Sequence, residues 1–239
     1  MENAKDKFRL FFKKLVKQKM ADFEYESNSD SEWDDSWGTL WSEHDWEVYL
    51  ANEKNEVRKY QKLYNRLARN PNRLDEVAHF MGWETQSDNP ESDIAESPLE
   101  NVTDQPYTLH KHPLYVSSKA LHDWMTDKWA QHVTLCADQI SPVFVLKIQN
   151  TISQSDQYGL LAVTALDLGD YSLAIAYFKR GLAQINQLLS QLNKLESKNI
   201  APLNDYSKDA KTRVFDIREI WLRVMADCRA AATRPFEDE

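Results

Sequence analysis

The chain has 239 residues, a formal net charge of −9 and five glycines, with 42% hydrophobic and 28% charged residues. At an average usage of about 7%, glycine would occur roughly seventeen times. This scarcity disfavours Rossmann folds, glycine-rich phosphate loops and turn-rich β proteins, because each needs glycine where the backbone adopts positive φ. The apolar runs fall short of the ~18 residues of a membrane-spanning helix, and the acidic total disfavours nucleic acid as a partner.

The charges are sorted along the chain. Residues 1–19 sum to +5, residues 20–105 to −14 and residues 106–239 to zero. A neutral segment of mixed sign is typical of a folded domain, whereas single-sign blocks are typical of tails and linkers. We therefore expect the C-terminal half to be the folded body.

Residues 1–20 are predicted to form a cationic amphipathic helix. Phe8, Phe11, Phe12 and Leu15 recur at helical spacing on one side, and basic residues fall on the other. These four apolar side chains are candidate interaction residues. Such a helix can lie on an anionic membrane surface or dock on an acidic partner. Alternatively, it packs on the rest of the protein or pairs with the acidic segment that follows.

Residues 21–41 form an acidic, tryptophan-containing segment with seven carboxylates and no basic residue. This composition favours disorder, yet Trp33, Trp37 and Trp41 would form one stripe on a helix. Together with Trp46 they are candidate interaction residues, because tryptophans flanked by acids are similar to the peptides that some helical-repeat adaptors bind. The alternative is that they anchor the segment on the protein's own helices.

Residues 42–83 are predicted to form a helical hairpin. Ser42 and Asp45 make a capping-box signal, which opens a helix that runs to about residue 69. A proline at that end stops it, because the residue before proline is pushed out of the α region. A short helix is predicted to follow over residues 73–81.

An acidic linker is predicted between this hairpin and the folded body. Residues 84–106 carry seven acids and three prolines, with no basic residue. A segment of this composition buries too little apolar surface to order itself, so we expect it to be partly disordered.

Residues 107–234 are predicted to form an antiparallel bundle of about five helices, which makes the whole protein all-α. Ser141 and Pro142 mark a restart, with serine at the N-cap and proline at the first helical position. Cys136 and Cys228 fall on apolar stripes, which predicts buried, reduced thiols. The predicted helices span residues 113–139, 142–153, 156–168, 171–197 and 207–232.

One helix pair in this body resembles a known repeat. Residues 169–178 are similar to the turn and second helix of a tetratricopeptide repeat, in which Ala174 and Phe178 match its small-residue and aromatic spacing. Leu161 and Ala162 match the pair on its first helix, and Gly181 stands where alanine is usual. Because no second copy follows at the repeat period, we predict a repeat-like hairpin inside a bundle. The resemblance implies protein interaction rather than catalysis and assigns no site residues.

The sequence contains no recognised catalytic, cofactor or metal motif. His110 and His112 supply two potential metal ligands, fewer than the three or four that a transition-metal site needs. Asp123 and its neighbours on that helix are typical of a solvated face, and His132 is interpreted as a hydrogen-bonded core histidine. We therefore predict no catalytic residue, no metal ligand and no cofactor.

These patterns favour a non-enzymatic, cytoplasmic protein that acts as an interaction module or scaffold. The expected partner is another protein, or a second copy of this chain, and nucleic acid is not expected. Two alternatives stay open. The first is an enzyme whose active site is dispersed along the chain, and the second is an adaptor that meets a membrane surface through residues 5–20.

Overall fold

The computed structural model describes residues 42–83 and 109–232. Every regular element in these ranges is a helix, which confirms the all-α prediction. The helices are α1 (Glu43–Arg66), α2 (Arg73–Phe80), α3 (Pro113–Leu135), α4 (Pro142–Asp167), α5 (Tyr171–Glu196) and α6 (Ala201–Ala232), with 3₁₀ turns at Leu109–Lys111 and Ala137–Gln139.

Helices α3 to α6 form an up-down-up-down bundle. Each is joined to the next by a short turn, so neighbouring helices are antiparallel. Helix α3 packs on α4, α4 on α5, α5 on α6, and α6 returns to α3. The core between them contains large, fully buried side chains such as Trp129, Phe178, Tyr206 and Trp221.

The helix ends follow the predicted local signals. Ser42 and Asp45 form both hydrogen bonds of a capping box at the start of α1. The His112 side chain accepts a hydrogen bond from the Leu114 amide at the start of α3, which identifies it as a capping residue. Gly169 adopts a φ of 77° in the turn between α4 and α5, where a side chain would be strained.

The break predicted between residues 153 and 156 is absent. Helix α4 runs continuously over Pro142–Asp167. The polar run at this point resembles a loop in the sequence, but it carries Ser155 into the core, where its side chain is fully buried. The Ser155 hydroxyl lies 3.0 Å from a ring nitrogen of His122 on α3. Because this partner satisfies the hydroxyl, the helix needs no interruption.

The last helix begins at Ala201 rather than at the predicted Ser207. Asn199, with a φ of 53°, makes the preceding turn. Pro202 lies in the first turn of α6, where a missing amide hydrogen costs no helical bond. Ser207 is instead buried inside α6, and its hydroxyl donates to the carbonyl of Leu192. The described part of the C-terminal half therefore contains four long helices, where the sequence predicted about five.

The α1–α2 hairpin packs on α3 and α6. Tyr60, Tyr64 and Val77 are buried and belong to the same hydrophobic core as the bundle. Arg73 donates to both carboxylate oxygens of Asp216 on α6, from Nε to Oδ2 at 2.6 Å and from Nη2 to Oδ1 at 2.5 Å. The Tyr64 hydroxyl donates to the same carboxylate. This arrangement fixes the hairpin to one side of the bundle and leaves the outer faces of α4 and α5 away from it.

Candidate functional site

A groove of about 360 Å³ lies between α3 and α4. Its lining combines ionic, hydroxyl, amide and apolar side chains, which is the mixture that ligand and peptide sites use. The lining residues are Tyr115, Ser118, Lys119, Asp123, Thr126, Ser153, Asp156, Gln157, Gly159, Leu160 and Val163.

Lys119 is the centre of the ionic part of the groove. Its Nζ lies 2.9 Å from Oδ1 of Asp123, one turn along α3, and 2.9 Å from Oδ2 of Asp156 on α4. Burial opposes the charge of this lysine, but the hydrogen bonds and charges of the two carboxylates outweigh it and raise its pKa above the ordinary value. The groove thus presents two carboxylates and one cation in a fixed arrangement.

His122 lies behind this ion pair and is fully buried. Its Nδ1 lies 2.8 Å from the carbonyl oxygen of Ser118, and its Nε2 lies 3.0 Å from Oγ of Ser155. Because a carbonyl only accepts, Nδ1 carries the proton, and Nε2 accepts a hydrogen bond from the Ser155 hydroxyl. Burial lowers the pKa of His122, and the carboxylate of Asp156, 3.8 Å from Nδ1, only partly offsets this effect. The imidazole is therefore neutral at pH 7.

Ser155, His122 and Asp156 have the residue types of a hydrolytic triad but not its geometry. In a triad the carboxylate bonds Nδ1 and the serine oxygen faces the substrate. Here Nδ1 is bonded to a backbone carbonyl, and the Ser155 side chain has no solvent exposure. The three groups form a satisfied internal network that joins α3 to α4, and Ser155 is not an accessible nucleophile.

Trp221 of α6 closes the network from the core side. Its Nε1 donates to Oγ of Ser118 at 3.0 Å, and its ring is stacked on His122. The same ring lies against Gly159 of α4 and Gly181 of α5. One side chain therefore contacts the other three helices of the bundle.

A row of exposed, uncharged side chains on α4 runs beside the groove. We call it the α4 stripe. Its members recur every three or four residues, which places them along one face of the helix. They are Val143, Leu146, Asn150, Ser153, Gln157, Leu160 and Thr164. Val143 is 75% exposed, Leu146 68% and Leu160 42%. Ser153, Gln157 and Leu160 also line the groove, so the two features form one continuous surface.

Most of the interaction residues predicted from the sequence lie outside the described ranges. They are Phe8, Phe11, Phe12, Leu15, Trp33, Trp37 and Trp41. Trp46 is described and lies near the start of α1, where it is 41% exposed and its ring meets the edge of Tyr49 at 5.9 Å between centroids. It is not among the residues that line the groove.

The other predictions about single residues have mixed outcomes. Cys136 and Cys228 are buried free thiols, as predicted. His132 is hydrogen-bonded, with Nδ1 2.7 Å from the carbonyl of Lys128, but it is half-buried rather than a core residue. The Asp123 side chain is 40% exposed, in keeping with the predicted solvated face, and it also bonds Lys119 and lines the groove.

Neither the network around His122 nor the α4 stripe was predicted from the sequence. The spacing of Ser118 to His122 and of Lys119 to Asp123 is one helical turn, which shows in the sequence that each pair shares a face. The partners of His122 and Lys119 on α4 lie more than thirty residues further along the chain; Ser155 is 33 residues from His122. Only the packing of α3 on α4 brings the groups together.

Within the described ranges, no three histidine, cysteine or acidic side chains converge on a position that would hold a metal ion. The helices of those ranges were also compared with the length and hydropathy of a bilayer-crossing segment, and none meets both requirements. Comparison of the chain with protein-family models, with curated proteins and with solved structures yields no match.

Proposed function

We propose that this chain is a non-enzymatic helical interaction protein, and that it docks a protein partner along the α4 stripe. The observation that carries the proposal is the composition of this surface. Between residues 143 and 164, α4 has eight exposed side chains, of which Lys147 alone is charged and the other seven form the stripe, in a chain in which 28% of residues are charged. Depletion of charge at the centre is what distinguishes a protein interface from the remaining surface.

The outer face of α6 provides an internal comparison. It exposes Lys208, Asp209, Arg218 and Glu219 together with isolated apolar residues, as an ordinary solvated helix does. Leu222 on this face is 41% exposed, almost the same fraction as Leu160 on the α4 stripe. Exposure of a leucine is therefore common to both faces, and the two faces differ in having one exposed charge, Lys147, along the stripe and several along α6.

The groove supplies the polar edge of the proposed interface. Lys119 bonds both Asp123 and Asp156, and all three side chains line the groove. Preorganised polar groups beside an apolar strip provide specificity at a low entropic cost. Leu160 lies where the apolar strip and this polar edge meet.

The resemblance to a tetratricopeptide pair supports the same function. In the α4–α5 hairpin, Ala162, Ala174 and Phe178 are completely buried between the two helices, in keeping with the close approach that the repeat's small residues allow. We retain the cytoplasm as the compartment, because both cysteines are free thiols and reducing compartments keep them so.

The test compares three full-length baits in quantitative affinity capture from the cells that express the protein. They are the wild type, Leu160→Glu and Leu222→Glu, two charge insertions at leucines of equal exposure. We expect a set of captured proteins shared by the wild type and Leu222→Glu that is lost with Leu160→Glu. Thermal unfolding of all three confirms that the fold is kept. Equal capture by both variants would rule out the α4 stripe as the docking surface.

A further inference from the structure

The α4 stripe is complementary to itself when it is reversed. Read from the N-terminal end, its seven members are two apolar residues, three polar residues, one apolar residue and one threonine. Their spacing alternates between three and four residues, which is the spacing along which two helices pack at a shallow angle. Such a seam accepts a second helix along its whole length.

Ser153 is the middle member of the stripe. When a second copy is turned about a two-fold axis through Ser153, α4 meets α4 antiparallel, and the two inner pairs each join residues of the same character. Leu146 lies beside the second copy's Leu160, and Asn150 lies beside its Gln157. The methyl groups of Val143 and of Thr164 then meet at both ends. A closed dimer needs a surface that matches itself in this way.

We propose that a second copy of this chain packs antiparallel along the α4 stripe, with Ser153 on the two-fold axis. This rests on the proposed function, since it names the partner of the same surface. The charges favour this partner over the chain's own N-terminal segment. The segment predicted as a helix at residues 5–20 is strongly cationic, and the stripe offers it no carboxylate. Asp156, at the edge of the stripe, is already bonded to Lys119.

The size of the stripe predicts a weak dimer. At 1.5 Å per residue the stripe is about 33 Å long, and at a helix width of about 10 Å it offers roughly 330 Å² per copy. Stable complexes bury about 800 Å² per partner. The dimer is therefore concentration-dependent and exchanges readily, which a covalent trap detects better than an equilibrium method.

Cysteine trapping in the full-length protein tests the proposal. Cys136 and Cys228 are buried, so introduced thiols are the reactive ones among the described residues. Ser153→Cys places two thiols on the axis, within the short Cα–Cα distance of about 5–6 Å that a disulfide needs. Val143→Cys places them about 30 Å apart. We expect Ser153→Cys to give a disulfide dimer under mild oxidation, and Val143→Cys to give one only when mixed with Thr164→Cys.

Each other outcome has a definite meaning. If Val143→Cys alone forms disulfide dimers as fast as Ser153→Cys does, the disulfides arise from random collision. This result overturns the antiparallel pair. If Ser153→Cys stays monomeric, and Ser153→Cys combined with Phe11→Cys closes an intramolecular disulfide, residues 5–20 cover the stripe and the second copy is excluded. A third outcome is that Ser153→Cys stays monomeric while the wild type captures other proteins and Leu160→Glu does not. This result overturns the self-association alone, and the docking function survives. Loss of both results overturns both proposals.

Discussion

The ring of Trp221 on α6 lies directly against Gly181 on α5. A Cβ atom at position 181 would be 2.6 Å from Cζ3 of that ring, closer than carbon atoms approach in proteins. The indole cannot move away easily, because its Nε1 donates to Ser118 and Gly159 of α4 borders its other edge. The position of Trp221 is therefore the physical reason why glycine fits position 181 and a larger residue does not.

Gly181→Ala is expected to destabilise the protein. Alanine stabilises a helix interior by about 1 kcal/mol relative to glycine. Overpacking a core typically costs about 1–3 kcal/mol, and here the added methyl group would press on a ring that is held on two sides. We expect a net loss of about 1–2 kcal/mol in the free energy of unfolding, measured by urea denaturation. Gly181→Ala in a Trp221→Phe background should cost clearly less, because the smaller ring leaves space. Equal costs in both backgrounds would show that the ring is not the cause.

Ser118→Ala is expected to leave the Trp221 Nε1 hydrogen without an acceptor inside the core. An unsatisfied buried donor costs about 1–3 kcal/mol. Ser117→Ala is the matched control, because Ser117 is equally buried but its hydroxyl donates to the Leu114 carbonyl of its own helix. We expect its effect on the free energy of unfolding to stay below about 1 kcal/mol. A cost for Ser117→Ala as large as that for Ser118→Ala would argue against the indole hydrogen bond.

The parts of the fold that the sequence predicted are those encoded locally. The capping box of Ser42 and Asp45, and the proline at the first position of α4, each act within one helical turn and appear where expected. The break predicted near Ser155 was wrong because the interaction that decides it is not local. A serine in an apolar helix suggests a loop until its partner is known, and that partner is His122 on another helix.

The α4 stripe shows why the candidate site was harder to predict. Apolar residues occur on both sides of α4, with Ile148 and Ile152 fully buried and Val143 and Leu146 largely exposed. Periodicity identifies faces of a helix but does not tell which of two apolar faces meets the core. That choice is made by the positions of α3 and α5, which single-helix patterns do not contain.

Acidification is expected to destabilise the protein through His122. Burial holds its pKa in the folded protein below the value of about 6.5 that it has in the unfolded chain. The unfolded state therefore binds a proton first as the pH falls, so this contribution to stability is complete above about pH 6.5 and is lost as the pH falls toward the folded-state pKa. The charged groups that act on the ring are Lys119 and Asp123 of α3 and Asp156 of α4.

The measurement is the free energy of unfolding between pH 7.5 and pH 5.5. One proton gives a slope of at most about 1.4 kcal/mol per pH unit, and the stability of the wild type should fall toward the acidic end. His122→Gln should remove the part of this slope that comes from protonation of His122, whatever its effect on the free energy of unfolding at pH 7.5. An NMR titration of His122 that shows protonation above pH 6.5 in the folded protein would contradict the predicted sign.

Asp216→Asn is expected to loosen the α1–α2 hairpin from the bundle. The carboxylate of Asp216 receives hydrogen bonds from both Arg73 and Tyr64, and only 8% of its side chain is exposed. An amide in its place removes the charge that balances Arg73 and offers one acceptor where there were two, and breaking such a buried pair costs about 3 kcal/mol.

Glu219→Gln is the control on the same helix. Its carboxylate bonds Arg223 one turn away and is 52% exposed, so we expect a loss below about 1 kcal/mol. Because Arg73 opens α2, hydrogen exchange should rise first in the amides of α2 and the end of α1 while α4 and α5 stay protected. Uniform acceleration across all helices would instead show that the hairpin and the bundle unfold as one unit.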